Sequence, residues 1–303
     1  MNNLSDASGA AGSGDAPAEL LSFATRILGP SDLVADCSWA HGRSSVLRLR
    51  DGDGTTWFLK RHNDRDRYRA EVTAYQQWVP ALGGQAPRLR AHDDTLHAVI
   101  LSAVPGVPPA WPADTLADGD EERRAGEAAV QRSAGALLRQ FHDGQPGLPW
   151  DDFAAAKYEE FDRLAPVAAG LLTARELAAA RSQVGDLAGL PCPGKVACHR
   201  DYTPRNWLVD AGSVCVVDFE WSRLDAWVSD LARLRLGIWA ARPDLREAFL
   251  SGYGRELTGT DRAMLHGCAV LTGVWLLVKA RETRQRSFED GSRSALQHLM
   301  SSQ

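Results

Sequence analysis

The segment His199-Arg200-Asp201-Tyr202-Thr203-Pro204-Arg205-Asn206 sets a carboxylate and an amide five residues apart behind a histidine. In the spacing H-x-D-x-x-x-x-N the carboxylate accepts the proton of an attacking hydroxyl, and the amide oxygen holds a metal ion. Twelve residues beyond Asn206, Val216-Val217-Asp218-Phe219-Glu220 places a second acid at the end of an apolar strand. There Asp218 can coordinate a Mg²⁺ ion that bridges nucleotide phosphates. Upstream, Lys60 ends a strand and Glu71 lies in the helix that follows, a pair able to position a lysine on the α- and β-phosphates. The predicted chemistry is in-line transfer of a γ-phosphoryl group to a hydroxyl: Asp201 takes the proton, and Asn206 and Asp218 share the metal.

Taken singly, each feature has a plainer reading. A lone strand lysine often serves only to discourage edge pairing, and most helix glutamates are solvated. The combination and its order along the chain carry the assignment. His199 is expected to brace the loop rather than to act as a base. Arg205 is as readily a carboxylate partner or a solvated residue as a phosphate contact, and it stays outside the catalytic set.

These residues require elements that bring them together. Leu20, Leu21, Ala24, Ile27 and Leu28 share a helical face, closed by Gly29-Pro30. Val46 to Arg50 and Thr55 to Leu59, joined by Asp51-Gly52-Asp53-Gly54, read as a hairpin. Asp64 to Trp78 reads as a helix, and Pro87 to Ala91 and Leu96 to Leu101 as strands. Beyond Val104-Pro105-Gly106, Val130, Ala134, Leu137, Leu138 and Phe141 mark a long helix. Leu177, Ala180, Val184 and Leu187 mark another, with Thr173 and Glu176 as its capping box. Short strands at Val196 to Cys198, Trp207 to Val209 and Val214 to Val217 precede helical patterns that run to the C-terminus. The layout is α+β: a disordered tail over residues 1–17, a nucleotide-binding lobe over 18–101, a hinge over 102–106, and a helical lobe over 107–303. That last lobe carries the catalytic loop and the acceptor site, and the cleft between the lobes is the natural ligand site.

His41-Gly42-Arg43-Ser44-Ser45-Val46 can turn over the phosphates, with Gly42, Ser44 and Ser45 supplying N–H and hydroxyl groups. Backbone groups from Ser102 to Val104 are expected to meet the purine, so ATP and GTP both remain open as donors. Glu220, Trp221, Asp225 and Trp227 follow Asp218 closely and are the candidate acceptor contacts.

The order strand-Lys60, helix-Glu71, hinge, His199-x-Asp201-x4-Asn206, strand-Asp218 resembles the aminoglycoside phosphotransferase and choline kinase-like family of small-molecule kinases. Gly135-Ala-Leu-Leu-Arg-Gln-Phe-His142 and Ser229-Asp230-Leu231-Ala232 are similar to the helices that flank the catalytic loop in that family. The resemblance implies a protein-kinase-like two-lobed fold, with an antiparallel N-terminal sheet carrying one main helix and a larger helical C-terminal lobe. It also implies that Asp230 and His199 support the loop structurally. A G-x-G-x-x-G loop and an A-P-E segment are missing, and Asp218-Phe219-Glu220 stands in place of D-F-G, which disfavours a protein substrate.

The expected partners are therefore a nucleoside triphosphate with Mg²⁺ and a small-molecule hydroxyl acceptor. That acceptor is expected to be an antibiotic of aminoglycoside, nucleoside or cyclic-peptide type, inactivated as resistance or self-resistance. A choline-, amino alcohol- or sugar-like metabolite is the second reading, and a catalytically silent kinase-like module the third. The net charge of −5, without a basic stripe, points to neither nucleic acid nor membrane. The apolar run Cys268 to Val278 stops at Lys279, too short for the ~20 residues of a membrane span, and reads as a buried helix. Five scattered cysteines without a CxxC pair fit a reducing compartment, the cytoplasm, and the chain is expected to be a monomer or homodimer.

Overall fold

The computed structural model describes residues 18–38, 44–109 and 121–301. The expected N-terminal tail and Gly42 of the expected phosphate loop lie outside the described residues.

The first helix, α1 (Ala18–Leu28), buries Leu20, Phe23 and Ala24 on one face and stops at Gly29, whose φ of 79° suits glycine. Then follow β1 (Ser31–Asp36), β2 (Ser44–Asp51), β3 (Thr56–His62), α2 (Arg65–Gln77), β4 (Leu89–Asp93) and β5 (Ala98–Ser102). The five strands form one antiparallel sheet in the order β1-β2-β3-β5-β4. The hairpin turn is held by Asp51, whose Oδ1 accepts the N–H groups of Asp53 and Thr55 and whose Oδ2 accepts Trp57 Nε1–H. Lys60 does not end its strand, since β3 runs two residues further to His62.

Side chains alternate across a strand, and here the alternation sorts the chemistry from the packing. Leu59 joins Leu47, Leu49, Ala98 and Ile100 in a cluster under α1. Lys60, opposite Val46 and Val99, faces the other way, toward α2. Tyr68, Glu71, Val72 and Tyr75 form the buried stripe of α2 at helical spacing, so Glu71 is carried into the interior with the apolar residues. Asp64 caps this helix through the N–H groups of Asp66 and Arg67.

The larger lobe contains α3 (Glu121–Asp143), α4 (Phe153–Ala168), α5 (Ala174–Gly185), β6 (Lys195–Cys198), β7 (Trp207–Asp210), β8 (Ser213–Val216) and β9 (Arg223–Ala226). It ends with α6 (Ala232–Leu236), α7 (Ile238–Ala241), α8 (Pro243–Tyr253), α9 (Gly259–Glu282) and α10 (Arg286–Ser301). The capping box of Thr173 and Glu176 opens α5 as its sequence predicts. The apolar run near Cys268 is the middle of α9, and α4, α5, α6 and α10 all pack on this helix. That surrounding explains why it is apolar on every side. Helices α3 and α8 meet backbone to backbone: a Cβ on Gly135 would lie 2.1 Å from the Phe249 carbonyl oxygen, and one on Gly252 would lie 1.9 Å from that of Arg132.

Strands β6 and β9 pair antiparallel, as do β7 and β8. The segment leaving β5 is bound to β7, because Val107 and Val209 exchange backbone hydrogen bonds of 3.2 and 2.8 Å. Gly106 makes this approach with a φ of 103°, and a Cβ there would meet the Val209 backbone at 2.8 Å. Val99 and Leu101 share one core with the helical lobe, so the inner face of the sheet is continuous with it.

Candidate active site

The loop from His199 to Asn206 lies between β6 and β7, held from below by Asp230. The two oxygens of this buried carboxylate accept the N–H groups of His199 at 2.8 Å and Arg200 at 2.5 Å. Nε2–H of His142 adds a third bond at 3.0 Å, and Tyr253 O–H donates to its Nδ1 at 2.7 Å. Arg200 can thereby keep a φ of 67°, a conformation that non-glycine residues rarely adopt. His142, Cys198 and Asp230 bring potential ligand atoms within 4.8 Å of one another. The His142 and Asp230 atoms are committed to these hydrogen bonds, so the group reads as a brace.

His199 donates from Nε2 to the Val217 carbonyl at 3.1 Å, and its Nδ1 accepts the Asp201 N–H at 3.3 Å. Both ring nitrogens are thus used in tying the loop to the residue before Asp218. Asn206 donates from Nδ2 to the Asp201 carbonyl at 2.9 Å, which leaves its Oδ1 as the free acceptor of the amide. Its own carbonyl takes the Val217 N–H at 3.0 Å. The loop and the Asp218 strand are therefore one hydrogen-bonded unit.

Asp201 is 1% exposed, and two arginines hold its carboxylate: Arg233, on α6, binds Oδ1 and Arg205 binds Oδ2. They differ in setting, for the side chain of Arg233 is 12% exposed and that of Arg205 is 55% exposed. Burial works against the charge of Arg205, but Asp201, Asp218 and Glu220 outweigh it and raise its pKa. For Arg233 burial prevails, aided by the neighbouring Arg205, and its pKa falls below the usual guanidinium value. Sequence reasoning weighed Arg205 without placing it in the site and missed Arg233 altogether.

A second cluster forms where the sheet meets this unit. Lys60 Nζ lies 2.7 Å from Asp218 Oδ1, 3.0 Å from Glu220 Oε2 and 3.2 Å from Glu71 Oε1. Burial alone would favour a neutral lysine, but the three carboxylates hold its pKa well above normal. Glu71, wholly buried, also accepts His62 Nε2–H at 2.5 Å, and Glu220 binds Arg67 at 3.1 Å. Burial would raise the pKa of Asp218, yet Lys60 pulls it well below the carboxylate range. Asp218 adopts a φ of 70°, and its side chain is 34% exposed. Three carboxylates face two cations here, Lys60 and Arg67, so phosphates would enter this corner only with a further cation. Asp218 Oδ2 and Asn206 Oδ1 are hard oxygen donors of the kind Mg²⁺ takes, and the residues present fit that ion.

Of the other expected nucleotide contacts, Ser44 and Ser45 begin β2 opposite His62 and Arg61. At Ser102 the N–H goes to the Arg88 carbonyl at 3.0 Å and the Oγ accepts the Arg88 N–H at 2.9 Å, joining β5 to the chain before β4 and leaving the backbone carbonyl as the group for the expected purine contact. Val104, half-buried, lies between β5 and the β7 contact.

The expected acceptor contacts fare differently. Asp225 is fully buried and binds Lys157 at 2.7 Å, Arg200 at 3.0 Å and Arg223 at 3.1 Å, with Ser229 Oγ–H at 2.8 Å. It joins α4 to the catalytic loop and does not meet an acceptor. Trp227 is likewise corrected, being buried with its ring stacked 5.1 Å from Tyr253 and Arg255 over it at 4.4 Å. Glu220 belongs to the lysine cluster. Trp221 remains half-exposed, with Arg67 3.9 Å from its ring and Trp275 edge-on at 4.8 Å.

Beside Asp201 opens a hollow of about 400 Å³. Arg205 and Arg233 border it from the catalytic side, and Leu236, Ile238, Leu276 and Phe288 supply much of the remaining wall.

The sequence matches the family described as "Phosphotransferase enzyme family" over residues 39–266. No curated protein matches it in sequence. Among solved structures it is similar to a thermostable mutant of aminoglycoside phosphotransferase APH(4)-Ia in ternary complex with ADP and hygromycin B. That likeness has a TM-score of 0.69 and 14% identity, over 92% of this chain and 97% of that one. It is also similar to the macrolide 2'-phosphotransferase MphH from Brachybacterium faecium, with a TM-score of 0.59 and 18% identity over 92% and 97% of the two chains. A choline/ethanolamine kinase family protein from Mesorhizobium loti gives a TM-score of 0.64 and 18% identity over 93% and 95%. At such identities the likenesses establish the two-lobed fold.

Proposed function

Because the chain belongs to the phosphotransferase enzyme family, we propose that this small-molecule phosphotransferase moves the γ-phosphoryl group of ATP or GTP onto a hydroxyl held beside Asp201. The observation that carries the reading is the 2.7 Å contact of Lys60 with Asp218. It joins the sheet to the unit that contains Asp201 and Asn206, across 158 residues of sequence.

Lys60, kept in place by Glu71, meets the α- and β-phosphates in this reading. Asn206 and Asp218 would hold Mg²⁺, which supplies charge neutralisation on the phosphate oxygens. Since both oxygens of Asp201 are bound by arginines, an incoming hydroxyl displaces the exposed one, Arg205, while Arg233 keeps its oxygen and fixes the carboxylate. The hydroxyl proton passes to Asp201 as the new O–P bond forms and the bond from the γ-phosphorus to the β–γ bridging oxygen breaks. Even while it binds Asp201, Arg205 feels the charges of Asp218 and Glu220, so it stands near the corner where this reading places the phosphates. Catalysis is then positioning and charge stabilisation.

The biological role we propose is inactivation of an antibiotic by O-phosphorylation in the cytoplasm. The hygromycin B bound in one similar structure and the macrolide phosphotransferase activity named for another support it. The test is phosphate transfer from labelled nucleotide to a panel of antibiotics and choline-like metabolites, with product identified by mass spectrometry. Asp201→Ala is expected to lose at least ~10²-fold in kcat while still binding nucleotide. Unchanged turnover by that variant refutes the mechanism.

A further inference from the structure

Resting on that phosphotransferase reading, we infer that the acceptor is a neutral or anionic hydroxyl compound with an apolar face, and that polycationic amino sugars are poor substrates. The hollow beside Asp201 is within the size range of small-molecule sites. Its walls are Pro204 from the catalytic loop, Leu236 and Ile238 around α6 and α7, Leu276 from α9, and Phe288 and Ala295 from α10. Thr203, Ser287 and Ser292 add hydroxyls able to orient a neutral polar group.

The charged residues lining it are Arg205 and Arg233, and among the described residues no carboxylate lines it. Asp201 stands behind these two arginines, so it is their positive charge that the wall of the hollow presents. A polycation would bring its ammonium groups against guanidinium groups with no acid to receive them. The acids that could have served it are committed elsewhere: Glu160 to Arg223, Asp225 to Lys157 and Arg200, and Glu220 to Lys60 and Arg67.

An acceptor too long for this hollow meets the same sign of charge beyond it. Leu236 and Ala295 also border a larger hollow of about 870 Å³, lined by Arg235, Arg246, Arg255 and Arg262 against Glu247 and Glu256. Arg235 has its Nε sealed from solvent with no acceptor among the described residues, and its Nη2 donates to His266 Nδ1 at 3.4 Å. The charge of nearby Arg246 adds to burial in lowering the pKa of Arg235. A carboxylate or phosphate on the far end of an acceptor would relieve this like-charged pair.

The experiment compares matched acceptors that differ chiefly in charge: an amino sugar and its fully N-acetylated form, and an amino-substituted nucleoside and its carboxylate-substituted counterpart. Full-length protein with ATP and Mg²⁺ is assayed for phosphorylated product at constant ionic strength. Acceptor binding is followed in parallel by the ligand-induced Tm shift with a non-hydrolysable ATP analogue. The neutral or anionic member of each pair is expected to lead by about 10²-fold in kcat/KM and to give the larger Tm shift. Ser287→Asp, an exposed substitution in the first turn of α10, should narrow that gap by about tenfold without changing nucleotide binding. A polycation that equals or exceeds its neutral partner in rate or in Tm shift overturns the inference and leaves the phosphotransferase reading standing. A protein that binds neither ATP nor any acceptor overturns both.

Discussion

Asp225→Ala tests whether the acid nearest β6 is structural or meets an acceptor. The substitution leaves Lys157, 2% exposed, and Arg200, whose side chain is 15% exposed, without their shared carboxylate. It also removes the acceptor for the Ala226 N–H at 2.7 Å and for Ser229 Oγ–H at 2.8 Å. Removing one partner of a buried ion pair costs about 3–5 kcal/mol, and here the two cations keep, among the described residues, only the more distant Glu160, 3.9 Å from Lys157 and 3.7 Å from Arg200. For a protein of this size each kcal/mol lowers Tm by about 2–4 °C, so a fall of roughly 10 °C is expected. Arg200 would lose one of the contacts that hold its strained backbone, and kcat should fall with stability while the acceptor KM changes little. The pH dependence has a definite sign. Burial would raise the Asp225 pKa, but Arg200, Lys157 and Arg223 hold it far below the carboxylate range. A depressed folded pKa gives stability that is present above the unfolded value, near ~3.9, and is lost as pH falls from there toward the folded value. Urea unfolding of wild type and Asp225→Asn at pH 7 and at pH 3.5 measures it, with the difference between them shrinking at the lower pH. A loss below ~1 kcal/mol at pH 7, or a tenfold rise in acceptor KM with unchanged stability, refutes the reasoning.

Three further outcomes are expected. Glu71→Gln should raise nucleotide KM by about tenfold and lower stability by about 2 kcal/mol, measured by nucleotide titration and urea melts, since Lys60 and His62 both lose a buried carboxylate. In Arg205→Ala the base is uncovered, so acceptor KM should not rise, whereas kcat should drop by about 10²-fold through loss of a cation beside the transferred group; a kcat equal to wild type removes Arg205 from the mechanism. Gly135→Ala forces α3 away from the Phe249 carbonyl and should cost about 3 kcal/mol by thermal unfolding, against a gain of about 0.5–1 kcal/mol for Gly126→Ala in the same helix, where a Cβ meets open space.

What could be read in the sequence was what depends on short spacing. Asp201 and Asn206 share a tight loop, where the chemistry itself dictates the interval, Asp218 follows the end of β8, and Lys60 stands two residues inside the end of β3. The stripes of α2, α3 and α5 repeat at helical period, and their burial follows. Strand β1 escaped because, as an edge strand, it is largely exposed and shows no alternation, and β9 because Arg-Leu-Asp-Ala carries no strand signal. The error at Asp225 and Trp227 came from taking nearness to Asp218 along the chain for nearness in space. After Asp218 the chain turns back through β9 to pair with β6, which draws both side chains into the core. Arg233 had no local signal, since its partner lies 32 residues away and nothing in its own helix distinguishes it from Arg235.

A kinase that waits for its acceptor with nucleotide bound faces a competitor present at far higher concentration, namely water. Activating water by the same carboxylate would hydrolyse nucleotide to no purpose. With Arg205 and Arg233 on its two oxygens and almost no exposed surface, Asp201 is shielded from bulk water. In the proposed mechanism the base is released by a molecule that fills the apolar hollow and moves Arg205 aside. On that proposal the arginine clamp is a lock on idle turnover, opened by the shape of the acceptor rather than by its hydroxyl alone.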